Sequence, residues 1–171
     1  LDFANNAQTA LIEYQPQTVD FIRSYNPVPA AAPGSIERAA DLINQSVKPL
    51  MLVGQGVELA GAREELLALA EKAQIPFGQT MLGLSAAPTH HPLNMGMLGM
   101  HGNLAPNVMT NQCDLLIAVG MRFDDRVTAD LHTYAKQAKV IHFEIDPSEV
   151  GKIVKPTVAV LGDCKQTLAQ V

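Results

Sequence analysis

Two arginines and two aspartates crowd into Arg122-Phe123-Asp124-Asp125-Arg126, directly behind the apolar run Leu115-Leu116-Ile117-Ala118-Val119-Gly120. A guanidinium offers a planar fork of donors that matches a phosphate or a carboxylate, and neighbouring aspartates can orient it. The same residues would also serve as a salt-bridged surface loop. Their position favours ligand chemistry, because the stretch leaves the clearest strand in the chain. Ligands of open α/β sheets lie beyond the carboxyl ends of the strands.

Other strand ends carry suitable residues too. Gly54-Gln55-Gly56 follows Leu50-Met51-Leu52-Val53. Glycines there let the backbone approach a ligand and leave N–H groups free for an anion, although plain turn chemistry explains them equally well. A complete G-x-G-x-x-G is missing, since position 59 is leucine. Thr80, in Gln79-Thr80-Met81-Leu82-Gly83-Leu84, offers a hydroxyl to a ligand or to a local cap. Gly99-Met100-His101-Gly102 can lay backbone against a planar group with Met100 as a soft contact, or pack on its own methionines. His101 has no second ligand at helical or turn spacing, and His90-His91 before Pro92 reads as an exposed loop, so neither marks a metal site. Glu144, closing Lys139-Val140-Ile141-His142-Phe143, suits ribose hydroxyls. Asp146 before Pro147 also fits a helix start, and Asp163 after Gly162 fits an N-cap. There is no Walker loop, nucleophile elbow or aromatic-interleaved basic patch.

The elements that must position these residues alternate. Residues 1–34 are rich in amides and proline, with three prolines in Pro27-Val28-Pro29-Ala30-Ala31-Ala32-Pro33. Proline holds φ and biases its predecessor to extended backbone, so this stretch reads as an interdomain connector. From Ser35, a candidate cap, a helix is expected over about 36–46, then a strand over 50–53. An amphipathic helix over 60–73 is expected to bury Leu66, Leu69, Ala70 and Ala73. A strand over 76–79 precedes a long loop from Thr80 to about Asn103, of a length that usually carries function. A helix over 104–112 and strands over 114–120, 139–145 and 157–161 complete the pattern. Strand–helix alternation with strands apolar on both faces predicts an α/β fold: a doubly wound, about six-stranded parallel sheet with helices on both faces.

Composition narrows the classes further. A hydrophobic share of 47 % against 17 % charged describes a globular chain, and a net charge of -5 argues against a general nucleic-acid binder while leaving room for a locally basic site. Cys113 and Cys164 are too few for a disulfide framework and read as buried thiols of a reducing compartment. No apolar run approaches a membrane span. The opening Leu-Asp-Phe-Ala-Asn-Asn has neither the basic nor the apolar part of a signal peptide. A start without Met fits a piece of a longer chain.

Gly99-Met100-His101-Gly102, followed by Asp114 to Gly120 and then Met121-Arg122-Phe123-Asp124-Asp125-Arg126-Val127-Thr128, resembles the acetohydroxyacid (acetolactate) synthase family in its large catalytic subunit. The order of Thr80–Leu84, Phe143-Glu144-Ile145-Asp146 and Gly162-Asp163 agrees, and the resemblance runs from about Pro33 to the end. It implies a chain of three α/β domains, with residues 1–34 the link from a preceding pyrimidine-binding domain and residues 35–171 the central, FAD-binding domain. It implies FAD contacts at Gly54, Gly56, Thr80, Met81, Gly99, Met100, His101, Gly120, Arg122, Asp124, Arg126, Val127, Glu144, Ile145, Gly162 and Asp163. Arg126 is also implied to meet the carboxylate of the second 2-keto acid, with Met100 near that substrate channel. Gln55 stands where the family has Gly or Ala, and Ala129 where it has Gly after Val-Thr.

The reaction implied is decarboxylation of pyruvate on thiamine diphosphate with Mg²⁺, then addition to a second 2-keto acid, giving acetolactate or acetohydroxybutyrate. Thiamine chemistry would belong to the flanking domains of the same chain, so these 171 residues are expected to be inactive alone and to hold flavin weakly. Also implied are a homodimer or tetramer, a small regulatory subunit and a cytoplasmic, bacterial setting, with no nucleic-acid or membrane partner. Other thiamine enzymes (glyoxylate carboligase, pyruvate oxidase or a decarboxylase) and a free-standing nucleotide-binding module are the alternatives.

Overall fold

The computed structural model describes residues 2–16, 18, 22 and 25–171. Part of the expected connector, Leu1, Gln17, Val19–Phe21, Arg23 and Ser24, lies outside the described residues. Its described part holds one helical turn, α1 (Asn5–Gln8), with no buried residue.

From residue 35 the elements run α2 (Ser35–Gln45), β1 (Pro49–Val53), α3 (Gln55–Leu59), α4 (Arg63–Ala73), β2 (Phe77–Gln79), β3 (Asn94–Met97), α5 (Leu104–Thr110), β4 (Leu115–Val119), α6 (Asp125–Thr128), β5 (Lys139–Glu144), β6 (Val158–Leu161) and α7 (Cys164–Leu168). The six strands form one sheet in the order β3-β2-β1-β4-β5-β6. Every pairing is parallel. This is the order of doubly wound dinucleotide-binding sheets, the class that the alternation predicts.

Strand alternation builds the two cores. Met51, Val53, Ile117, Val119, Ile141, Phe143 and Val160 point to one face, where α2, α3, α4 and α7 cover them. Leu50, Leu52, Leu116, Ala118 and Val140 point to the other, with Met109 of α5, Val127 of α6 and the 134–138 segment. All five residues of β4 are buried. Each large aliphatic side chain there contributes roughly 1.5–3 kcal/mol, so a charge at Ile117 would break the sheet at its centre.

Several local expectations shift. Ser35 is not the cap: Gly34, at φ 71°, holds that position without a side-chain bond, and Ser35 begins the helix. The helix expected over 60–73 is α4, which begins only at Arg63; a short helix that was not expected, α3, ends before it at Leu59, with Gly61 (φ 62°) in the break, and Ala73 is exposed. The long loop after Thr80 contains a 3₁₀ turn, Met81–Gly83, and the edge strand β3. That strand is only half-buried and glycine-bearing, so it shows none of the apolar run that marks the others. Asp146 binds the Ser148 N–H at 2.8 Å in a turn rather than starting a helix. His91 is not an exposed loop residue but meets Glu71 at 3.0 Å, half-buried.

Candidate functional site

Between β1 and β4 the strand order reverses, so the chain leaves these two neighbours towards opposite faces and opens a crevice at their carboxyl ends. The crevice is a cavity of about 790 Å³. Its floor is backbone. The Gly56 N–H donates to the Gly120 carbonyl at 3.0 Å and the Gly54 N–H to that of Val119 at 2.9 Å, so neither N–H is free for an anion, contrary to the expectation from sequence. A Cβ on Gly56 would come within 2.6 Å of the Gly120 Cα, and Gly120 itself sits at φ +57°. These glycines are therefore required for the two loops to interlock, whatever ligand they face.

The β2 end forms a second wall. The Thr80 hydroxyl accepts the Gly83 N–H at 3.1 Å, so it caps the 3₁₀ turn that presents Met81 and Leu82. Buried Gln79 donates to the Gly83 carbonyl at 2.9 Å and accepts from Asn94 at 3.0 Å, tying that turn to β3.

The glycine-rich loop forms the third wall. Met97 and Asn103 pinch its base: the Asn103 N–H donates to the Met97 carbonyl at 2.6 Å, and the Met97 N–H to the Asn103 side chain at 2.9 Å. Asn107, on α5, grips Gly99 from both sides, accepting its N–H and donating to its carbonyl at 2.9 Å each. The Met100 N–H then donates to the Arg126 carbonyl at 2.8 Å. The loop that carries Met100 and His101 is thereby joined to the arginine loop.

That arginine loop is the fourth wall. Asp124 caps α6, accepting the Arg126 N–H at 3.0 Å. Phe123 is buried at φ 55°, a strained conformation for a bulky residue. Arg122 and Arg126 both line the cavity and are exposed. Among the described residues neither forms an ion pair, so the salt-bridged-loop reading of this stretch does not apply.

At the β5 end, Glu144 is buried and its Oε1 accepts the Ile145 and Asp146 N–H groups at 2.9 and 3.1 Å. Burial, with Glu144 and Asp163 adding negative charge, pushes the nearby Cys164 thiol up to about 12. Cys113 is buried as well. Among the described residues no three His, Cys, Asp or Glu side chains gather to hold a metal ion, and no helix is long and apolar enough to cross a membrane.

Of the residues expected from sequence, the cavity brings together Gly54, Gly56, Thr80, Met81, Met100, His101, Gly120, Arg122, Asp124, Arg126, Val127, Glu144 and Ile145. It does not include Gly99, which supports the wall from behind, or Gly162 and Asp163. Asp163 caps α7 through the Lys165 and Gln166 N–H groups, and Gly162 lies against Thr167 and the Pro29 carbonyl. Gln55, Leu59, Leu82, Met97, Leu98, Met121 and Phe123 complete the lining. Phe123 stands inside the charged run and Met121 directly before it, so both follow from it. Asn107 had no signal, because its partner lies in another loop.

Residues 36–171 match the family described as thiamine pyrophosphate enzyme, central domain. Over 171 residues, 99 % of this chain, it is 43 % identical to the acetolactate synthase large subunit of Corynebacterium glutamicum, covering 27 % of that protein. It is 50 % identical over 136 residues, 80 % of the chain, to the acetolactate synthase large subunit of Parasynechococcus marenigrum, covering 22 %. To the acetolactate synthase isozyme 1 large subunit of Escherichia coli it is 41 % identical over 170 residues, 99 % of the chain and 30 % of the relative. The chain thus spans under a third of the length of the curated relatives it matches.

Proposed function

This chain belongs to the thiamine pyrophosphate enzyme central-domain family, and from that premise we propose that it is the FAD-holding middle domain of an acetolactate synthase large subunit. The observation that carries the ligand reading is the pair Arg122 and Arg126: two guanidiniums on the rim of the switch-point cavity, without ion-pair partners among the described residues, above a floor of glycine backbone. Unpaired arginines beside a concave site fit a pyrophosphate or carboxylate. The cavity volume is in the range of sites that bury a sizeable organic ligand.

In this reading Gly54, Gly56 and Gly120 admit the pyrophosphate against backbone, Arg122 offsets its charge and Glu144 accepts from ribose. Met81, Met100 and Val127 give apolar contact to the rings. Gly99, Gly162 and Asp163 act through the loops they shape. Two pyruvates become acetolactate and CO2 without net change of oxidation level, so bound FAD supplies shape and an apolar wall rather than electrons. Arg126 holds the acceptor carboxylate, with Met100 beside it. Orientation of the acceptor, rather than bond making, is the contribution of this domain.

Thiamine diphosphate and Mg²⁺ would be held by flanking domains, with residues 1–34 as the connector and a homo-oligomer and small regulatory subunit as partners. The 171 residues alone would be inactive and hold flavin weakly.

The test uses the full-length enzyme stripped of flavin. With pyruvate as sole substrate, acetolactate formation should return as FAD is restored to one per chain. Full activity without flavin would overturn the FAD assignment. A different carbon product would overturn the acetolactate assignment and leave the domain family standing.

A further inference from the structure

We propose that His142 is a positioning residue of this cavity: one imidazole, hidden in the sheet, sets the arginine loop and the acidic end of β5 in the relative placement that receives a nucleotide. The inference rests on the nucleotide reading above and names the group that organises the site.

His142 is fully buried in the middle of β5, in register with Ala118 of β4. Its strand neighbours Ile141 and Phe143 face one core, so His142 faces the other, beside Val140 and Phe123. A polar ring there is unfavourable unless it is hydrogen-bonded. Its Nε2 lies 2.8 Å from the Met121 carbonyl oxygen. A carbonyl only accepts, so Nε2 carries the proton and donates. The same nitrogen is 3.6 Å from Glu144 Oε2, while the other carboxylate oxygen is held by the Ile145 and Asp146 N–H groups. The ring edge meets Phe123 at 5.1 Å and 70°. Met121, Phe123 and Glu144 all line the cavity, whereas His142 does not.

Packing alone does not explain a histidine here. Nδ1 is buried without a hydrogen-bond partner among the described residues, so leucine would fill the space without burying an unsatisfied acceptor. What leucine lacks is the donor to Met121. That bond fixes the first residue after Gly120, and the aromatic contact supports Phe123 in its left-handed conformation (φ 55°). Between them stands Arg122. One ring thus controls how the loop leaves β4 and where Glu144 stands beside it.

The test compares the full enzyme with its His142→Leu, His142→Asn and His142→Gln variants, measuring FAD affinity by flavin fluorescence and folding by urea midpoint. A glutamine amide nitrogen reaches the place of Nε2; that of asparagine reaches only the place of Nδ1. Loss of one buried donor should weaken FAD binding about tenfold in the Leu and Asn variants, while Gln stays within about threefold of wild type. Leu binding FAD as well as wild type, Gln falling with Asn, or affinities that merely follow the urea midpoints would each overturn the inference, leaving FAD binding by the wild type intact. A wild-type enzyme that binds no FAD would overturn both readings. If the Leu variant does not fold, the Asn–Gln comparison decides alone.

Discussion

The two ends of the sheet carry opposite kinds of loop. At the amino ends of β1, β2 and β4 lies a cavity of about 320 Å³, lined by Val47, Lys48, Pro49, Leu50, Gln74, Pro76, Met109, Gln112 and Cys113. Polar groups there are engaged with one another. Asp114 accepts the Val47 and Lys48 N–H groups at 2.7 and 2.9 Å, and Gln137 donates to the Thr110 and Cys113 carbonyls at 3.1 and 2.9 Å. Burial pushes the Cys113 thiol up to about 11. The carboxyl ends instead have glycines forced by close approach and two arginines without ion-pair partners among the described residues. The difference teaches where function sits: the bonds at the amino end close within it, whereas the carboxyl end leaves two guanidiniums directed outward for something else to complete.

Substitutions should separate the two ends. The largest effect is expected for Gly120→Ala, whose Cβ would lie 2.6 Å from the Gly56 Cα at a positive φ. Overpacking and strain together should cost about 3 kcal/mol, read as a lower urea midpoint, with FAD lost from the enzyme. A midpoint equal to wild type would show that the interlocked loops are not rigid.

Next comes Arg126→Ala. Removing a charged donor should raise the concentration of acceptor keto acid needed for half-maximal rate about tenfold, with weaker flavin retention and little change in the urea midpoint. Unchanged kinetics would remove the substrate role.

Asp114→Ala tests the amino end, and the expected pattern is reversed: a loss of about 1 kcal/mol in stability with FAD affinity unaltered. Burial pulls the Asp114 carboxyl upward, but the backbone N–H groups of Val47, Lys48, Asp114 and Leu115 outweigh it and hold it below its ordinary value of 3.8. Its contribution is therefore complete above that value and is lost as the pH falls through the lower, folded one. The variant should lack this part of acid destabilisation in pH-dependent melts.

The smallest effect is expected at Ala129, which stands at φ 49° and ψ -121°. Ala129→Gly should raise the unfolding free energy by roughly 0.5–1 kcal/mol, read as a higher urea midpoint, relief of strain exceeding the added freedom of the unfolded chain. A lower midpoint would show that the turn is unstrained.

Much of this was legible in the chain itself. The strands expected over 50–53, 114–120, 139–145 and 157–161 correspond to β1, β4, β5 and β6, because largely apolar strands are favourable in a sheet covered on both faces. Glycine, arginine and acid at the ends of those runs marked Gly54, Gly56, Gly120, Arg122, Asp124, Arg126 and Glu144 of the cavity lining. β3 was not legible. It is a half-buried edge strand, and its place depends on pairing with Phe77 and Gln79 rather than on its own side chains.

By itself, then, the sequence determined the α/β class, the parallel strands and the junctions where chemistry concentrates, since these follow from local periodicity and residue type. Tertiary structure alone decided the strand order that opens the crevice between β1 and β4, and the glycine interlock across it. It decided that Asp163, a cap already from its place in the sequence, lies outside the cavity, and that Arg122 and Arg126 have no ion-pair partner among the described residues. It also set His142 under the arginine loop and Asn107 behind Gly99. Each of these depends on groups far apart in the chain meeting within hydrogen-bonding or van der Waals distance, which no local pattern of residues encodes.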